Sequence, residues 1–332
     1  MYFLLEYLLF AAKAITVVGL CLLPFVVLLL VLKNTRRQHA QPDLTVEYLN
    51  DRLLDRQLAM EAHLLAPKAF KQRLKEVRQA RKSASENPPT QRLFLCDFAG
   101  DLRAEAVSSL RHEISAILSV AKVGDEVIVV LESGGGTIHG YGLAASQLQR
   151  VRDQGIRLTV AVDKIAASGG YMMACVADQI IAAPFAIIGS IGVVAQVPNF
   201  NRLLRKHDID FELVTAGKYK RTLTMFGENT ASGREKFQAE IDDAHALFKE
   251  FVARHRSQLD LEKVGTGEYW FGTRALEFGL VDRLLTSDEY LIDAARERAV
   301  YRVRLDRPRS LVDKLLSPVH TLAREHLQPP TP

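Results

Sequence analysis

The sequence has few cysteines and a single tryptophan among its 332 residues. The three cysteines, Cys21, Cys96 and Cys175, are odd in number, and no two of them have the C-x-x-C spacing. This pattern indicates neither a disulfide framework nor a zinc site, so we expect buried free thiols.

The excess of one sign of charge is also small, because 43 basic and 39 acidic residues leave a formal net charge of only +4. No basic run is interleaved with stacking aromatic residues, which argues against nucleic acid as a partner. The sequence also lacks an H-E-x-x-H motif, a Walker-type phosphate loop and a paired-carboxylate signature. We therefore expect neither a metal nor a cofactor.

One uncharged apolar stretch, residues 14–32, lies near the N-terminus. Its length is close to the roughly 20 residues that cross a bilayer as a helix. It ends in bulky residues followed by Lys33 and Arg36, and lacks the small residues of a signal-peptidase site, so we expect a retained anchor. More basic residues follow the stretch than precede it, which predicts that the rest of the chain stays cytoplasmic.

A second apolar run, residues 180–197, is nearly as long. Pro184, Gly189 and Gly192 divide it into short pieces. This division favours buried strands and a turn over a second membrane span.

We predict four regions: an anchor over residues 1–33, a charged helical stalk and linker over 34–90, an α/β domain over 91–307, and a peripheral helix with a loose tail over 308–332. From residue 92 onward, segments with strand and helix patterns alternate, which predicts a mainly parallel sheet. We further expect a strand in the stretch "FELVTA" and a long amphipathic helix over residues 232–259, opened by Ser232.

Three short stretches place chemically useful residues at the ends of predicted strands. The glycines at 134–136 form a strand-to-helix turn whose N–H groups could hold a phosphate or an oxyanion, a plain tight turn being the alternative. Ser168, followed by two glycines at the start of an apolar helix, is either a nucleophile or a helix N-cap. Lys218 and Lys220 follow "FELVTA"; either is a candidate general base if it is buried, or otherwise a solvated loop charge.

In their order along the chain, the stretches "LESGGG", "AASGGYMMACVAD", "IIGSIGV" and "GKYKRTLT" resemble the signal-peptide-peptidase-A family of membrane-bound Ser–Lys proteases. The resemblance covers roughly residues 92–286. It implies a Clp-protease/crotonase-like α/β fold. It also implies that Ser168 is the nucleophile, that Lys220 rather than Lys218 is the general base, and that Ser190 orients the lysine amine.

The same resemblance implies that Gly135 and Gly136, helped by Gly169, supply the N–H groups of an oxyanion hole. The family usually reads S-P-G-G where this chain has glycine instead of proline after Ser133. Loss of the proline frees φ at that position and loosens the loop.

The resemblance also implies a function, that of a serine endopeptidase that works through an acyl-enzyme. A single span would hold the enzyme in the bacterial inner membrane. Its substrates would be peptides or proteins such as signal-peptide remnants and membrane-protein fragments, and its partners the lipid bilayer and further copies of itself. Two alternatives stay open: an inactive membrane scaffold with the same fold, and an acyl-CoA enzyme.

Overall fold

The computed structural model describes residues 43–86 and 89–306, together with Lys13 and Val18. Apart from those two residues, the predicted anchor lies outside the described part, as does the predicted C-terminal tail. None of the helices described there combines the length and the apolar character that crossing a bilayer requires. One compact unit spans Thr45–Arg304, and the two termini, Met1–Leu44 and Leu305–Pro332, are assigned to a second.

The described residues form a mainly parallel sheet and a small second sheet. The strands are β1 (Asp43–Tyr48), β2 (Arg92–Ala99), β3 (Glu126–Glu132), β4 (Arg157–Val162), β5 (Ile165–Ala167), β6 (Gln179–Ala182), β7 (Ile187–Gly189), β8 (Tyr269–Phe271), β9 (Arg283–Leu284) and β10 (Ala299–Asp306). The main sheet has the order β1-β10-β2-β3-β4-β6-β9, and the pairings from β10 to β9 are parallel. A small second sheet has the order β5-β7-β8, with β5 parallel and β8 antiparallel to β7.

Ten helices occur in the described residues. They are α1 (Leu49–Leu64), α2 (Pro67–Glu86), α3 (Val107–Val120), α4 (Ile138–Asp153), α5 (Gly169–Ala174), α6 (Asn201–Lys206), α7 (Ala231–His255), α8 (Leu261–Val264), α9 (Gly272–Glu277) and α10 (Ser287–Glu297). The predicted stalk thus contains helices α1 and α2, which belong to the same compact unit as the sheet.

Alternating side chains of the central strands build two cores, one on each face of the sheet. Val127 and Val129 of β3 face a large core that includes Ile114 of α3 and Leu148 of α4. The residue between them, Ile128, faces a smaller core. That second core includes Leu49 of α1 and is covered by apolar residues of α10. Because both faces are covered, the central strands read as nearly continuous apolar runs.

The prediction of alternating strands and helices is confirmed for β2, α3, β3, α4 and β4. The second apolar run contains β6 and β7 and is not a helix, as predicted. Burial in this run extends to Ile191, after which Val194 and its neighbours are exposed. Cys96 and Cys175 are buried free thiols, as predicted, and burial raises the pKa of both.

Two predicted elements differ in the structure. The stretch "FELVTA" is not a strand: among the described residues no strand pairs with it, and Val214 within it is 91% exposed. The long helix begins at Ala231 rather than at Ser232, because the hydroxyl of Thr230 accepts the N–H of Gly233 and makes Thr230 the N-cap. It ends at His255 because Arg256 leaves the helical conformation and its guanidinium binds the carboxylate of Asp282.

Candidate active site

Three of the singled-out stretches meet because the strands that carry them lie side by side. The N–H of Ser133, directly after β3, donates to the carbonyl of Ile165 in β5 at 2.9 Å. In the opposite direction, the N–H of Ala167 donates to the carbonyl of Ser133 at 3.0 Å. On the other side of β5, the N–H of Ser168 donates to the carbonyl of Gly189 in β7 at 2.8 Å. The glycine turn, Ser168 and Ser190 therefore lie close together, each directly after the C-terminal end of one of these strands.

Ser168 is held in a backbone conformation that most L-residues avoid. Its φ is 52° and its ψ is −119°, immediately before helix α5. It occupies the N-cap position, yet its side chain makes no capping hydrogen bond. A non-glycine residue in such a region costs about 1 to 3 kcal/mol and is characteristic of functional sites. This geometry favours the nucleophile over the N-cap interpretation.

The backbone of the glycine turn packs so closely against its neighbours, Ser168 among them, that a side chain at Gly135 or Gly136 would clash. A Cβ on Gly135, whose φ is +91°, would come within 2.7 Å of the Cβ of Ser168 and of the nitrogen of Gly169. A Cβ on Gly136 would come within 2.3 Å of the carbonyl oxygen of Leu102. Glycine is therefore required at both positions by close packing, whatever their role in catalysis.

The N–H groups of the three oxyanion candidates do not have equal surroundings. The N–H of Gly135 donates to the hydroxyl of Ser133 at 3.1 Å. For the N–H of Gly136, the described residues provide no hydrogen-bond acceptor. The N–H of Gly169 lies in the first turn of α5, where no intrahelical acceptor exists. Of the three residues, Gly136 and Gly169 are thus the ones whose N–H groups are not already used by an acceptor among the described residues.

A cleft of about 920 Å³ opens over these residues. Ser168, Ser190 and the glycines at 134–136 and 169 line it. One wall is apolar and is formed by helix α7, whose lining residues are Ala244, Leu247, Phe248 and Phe251. In the part of the chain that the structure describes, no ionisable side chain lines this cleft. The cleft therefore combines hydroxyls and backbone groups on one side with an apolar helix face on the other.

The structure does not bring Lys220 into the same cleft. Lys220 lies in an exposed turn after the stretch "FELVTA", where its N–H donates to the carbonyl of Gly217 at 3.1 Å. Its neighbour Lys218 lies over the ring of Tyr219, with its ammonium 5.0 Å from the ring centroid. A hydrogen bond with Tyr219 and the charge interaction between them raise the pKa of Lys218, which is opposite to what a general base requires.

Sequence reasoning missed two features around the cleft. The apolar wall of α7 follows the i, i+3, i+4, i+7 spacing of a single helix face, and this spacing was the signal that could have identified it. His245, on the same helix, reads as a surface residue in the sequence, but it is half-buried. Its Nε2 lies 3.1 Å from the carbonyl of Ile191 and 2.9 Å from that of Gly265, so it links two loops that border the cleft.

Within the described residues, no three His, Cys, Asp or Glu side chains are placed to hold a metal ion together. Among the described residues, the polar side chains that line the cleft are the hydroxyl-bearing Thr137, Ser168 and Ser190.

Comparison with known proteins gives matches along most of the chain. Residues 150–301 match peptidase family S49, and residues 2–148 match the N-terminal region of peptidase family S49. A protein of Haemophilus influenzae named "Probable protease SohB" is 55% identical over 222 residues, which are 67% of this chain and 63% of that protein.

Two proteins of the same name from Buchnera aphidicola match over more of their length. The one from subspecies Schlechtendalia chinensis is 48% identical over 303 residues, covering 87% of this chain and 99% of the relative. The one from subspecies Acyrthosiphon pisum is 58% identical over 238 residues, covering 71% of each.

Proposed function

Since the chain belongs to peptidase family S49, a family of serine proteases that includes the SohB type, we propose that it is a membrane-anchored endopeptidase that uses Ser168 and Lys220. The observation that carries the proposal is the position of Ser168. Its hydroxyl makes no helix-capping bond, its backbone has a positive φ, and it lines an apolar cleft beside the glycine turn.

The amine of Lys220 takes the proton of Ser168 as the serine oxygen attacks the scissile carbonyl. The N–H groups of Gly136 and Gly169 stabilise the oxyanion, and Ser190 orients the amine. Lys220 then protonates the leaving amine. Water, activated by the same lysine, hydrolyses the acyl-enzyme and regenerates the serine.

Lys220 reaches a serine when the chain forms a homo-oligomer. Lys220 lies on the segment 193–230, which projects many apolar side chains into solvent in the single chain. Among them are Val194, which is 82% exposed, and Leu203, Val214 and Phe226. Association of copies would cover these side chains and would place the lysine against a cleft. Lys218 is the weaker candidate because its hydrogen bond and charge interaction with Tyr219 raise its pKa, which leaves less of it as the free amine.

The fold we propose is of the Clp-protease/crotonase type, and the site of action is the bacterial inner membrane, with the catalytic unit on the cytoplasmic side. An apolar cleft and an apolar N-terminal stretch both suit substrates that come from membranes. Signal-peptide remnants and membrane-protein fragments are such substrates.

Labelling with a serine-directed acylating probe tests the proposal. The probe should modify Ser168, as located by mass spectrometry, and should leave the Ser168→Ala variant unmodified. An inactive scaffold would not be labelled at all. An acyl-CoA enzyme would instead bind coenzyme A, which the proposed peptidase should not do.

A further inference from the structure

Tyr141 is a fully buried tyrosine of helix α4 that contacts the backbone after Ser168 and the start of the glycine turn but does not line the cleft. A Cβ on Gly169 would come within 2.4 Å of the Tyr141 ring, so the ring packs directly against the backbone after Ser168. Its hydroxyl lies 2.5 Å from the hydroxyl of Ser133, which begins the glycine turn. The same hydroxyl donates to the carbonyl of Asp101 at 2.8 Å.

The direction of these hydrogen bonds is fixed by the groups at the two ends. The carbonyl of Asp101 can only accept, so Tyr141 uses its single proton there. Ser133 must then donate its proton to the Tyr141 oxygen. A lone pair on the Ser133 oxygen accepts the N–H of Gly135, which can only donate. The result is one chain of bonds from Gly135 through Ser133 and Tyr141 to Asp101. Burial raises the pKa of Tyr141, which keeps the hydroxyl protonated and able to donate.

This chain of bonds joins the glycine turn after Ser133 to the loop that contains Asp101 and Leu102. Both segments approach the candidate oxyanion hole. The second tether between them is the N–H of Thr137, which donates to the carbonyl of Leu102 at 2.9 Å. The Leu102 carbonyl is also the atom against which Gly136 packs. The hydroxyls of Tyr141 and Ser133 leave no room for a side chain at Gly100. A Cβ there would lie 2.4 Å from the Tyr141 oxygen and 2.6 Å from the Ser133 oxygen.

We infer that Tyr141, acting through Ser133, is a positioning residue that holds the Gly135–Gly136 turn so that the N–H of Gly136 points at the oxyanion. The inference rests on the proposed peptidase function. The sequence supports the need for such a device. The turn carries glycine where the family usually has proline, so its backbone is freer and must be held by other means.

The test is Tyr141→Phe, which removes the hydroxyl and keeps the ring against Gly169. Because the hole should be misplaced rather than removed, we expect kcat to fall by about 10- to 100-fold while KM changes little. The Ki of a peptide boronate, which occupies the oxyanion hole as a transition-state analogue, should rise by a similar factor.

Tyr171→Phe is the matched control. Tyr171 is also fully buried, and its hydroxyl also donates to a single backbone carbonyl, that of Leu280 at 3.0 Å. Tyr171→Phe loses one hydrogen bond and Tyr141→Phe loses two, so both variants should lose thermal stability, Tyr141→Phe more than Tyr171→Phe. Only Tyr141→Phe should lose kcat and boronate affinity.

Ser133→Ala removes the middle hydroxyl and should reproduce the loss, and it carries the test if Tyr141→Phe does not fold. The double variant should be no slower than the worse single variant, because both substitutions break the same chain of bonds. Equal kcat and boronate Ki in Tyr141→Phe and Tyr171→Phe, with an active wild type, would overturn this inference alone. A wild type that neither cleaves peptides nor acylates Ser168 would overturn the proposed function and this inference with it.

Discussion

Ser168 and Ser190 follow two residues that are registered partners on adjacent parallel strands, Ala167 of β5 and Gly189 of β7, and both serines have positive φ angles, 52° and 50°. Two strained serines at matching ends of paired strands both line the same cleft. The strain at each is tolerated because the surrounding strands and glycines determine the backbone path.

This strain predicts an unusual order of stability among variants at position 168. Ser168→Gly should be more stable than Ser168→Ala by about 1 kcal/mol, because glycine adopts positive φ without a steric penalty while alanine does not. Both variants should be inactive. Chemical denaturation of the two proteins measures the difference, and a more stable alanine variant would show that the backbone at 168 is not strained.

The apolar wall of α7 predicts substrate preference. Leu247 is 58% exposed and lines the cleft, so Leu247→Asp should leave folding intact. It should raise KM for peptides with apolar side chains about tenfold, because a charge would face an apolar side chain. Ile292→Asp on α10 is the control, since Ile292 is exposed but does not line the cleft. An unchanged KM in Leu247→Asp would exclude this wall from substrate binding.

A pH dependence of stability is expected from His255, whose ring lies 4.6 Å from that of Phe251 in the cleft wall. Burial, with Arg152 and Arg254 nearby, lowers the pKa of His255. The folded state therefore binds the proton less well than the unfolded state, and its stability should fall as the pH drops below about 6.5.

Replacing the histidine should remove this contribution. The difference in free energy of unfolding between wild type and His255→Gln should shrink or reverse in favour of the variant between about pH 7 and pH 5. Urea titrations at several pH values measure it. A difference that does not change with pH would mean that the histidine titrates normally in the folded protein.

Much of the fold follows from local sequence, because β2, β3 and β4 are apolar runs separated by helical periodicity. The stretch "FELVTA" also has the apolar pattern of a strand but forms none, because a strand needs a neighbour and none of the described strands pairs with it. The hydrogen bond from the Gly135 N–H to the Ser133 hydroxyl could not be predicted from the sequence either. It depends on where Tyr141 places its hydroxyl, eight residues along the chain from Ser133.

Lys220 lies outside the cleft that contains Ser168 of the same chain, which predicts that inactive variants of the two residues complement each other between subunits. Ser168→Ala and Lys220→Ala, each inactive alone, should recover activity when mixed and allowed to exchange subunits, because one chain supplies the serine and another the lysine. Mixing Ser168→Ala with the double variant of both positions is the control and should give no activity. No recovery despite demonstrated subunit exchange would place both residues of the dyad in one chain.

The most direct test of the account is the hydrolysis of an unfolded casein-like protein by the purified full-length chain and three variants. Ser168→Ala and Lys220→Ala should each abolish cleavage while keeping the melting temperature of the wild type, and Lys218→Ala should retain most of the activity. Normal cleavage by either of the first two variants would contradict the assignment of Ser168 and Lys220. Inactivation by Lys218→Ala, with Lys220→Ala active, would assign the base to the other lysine.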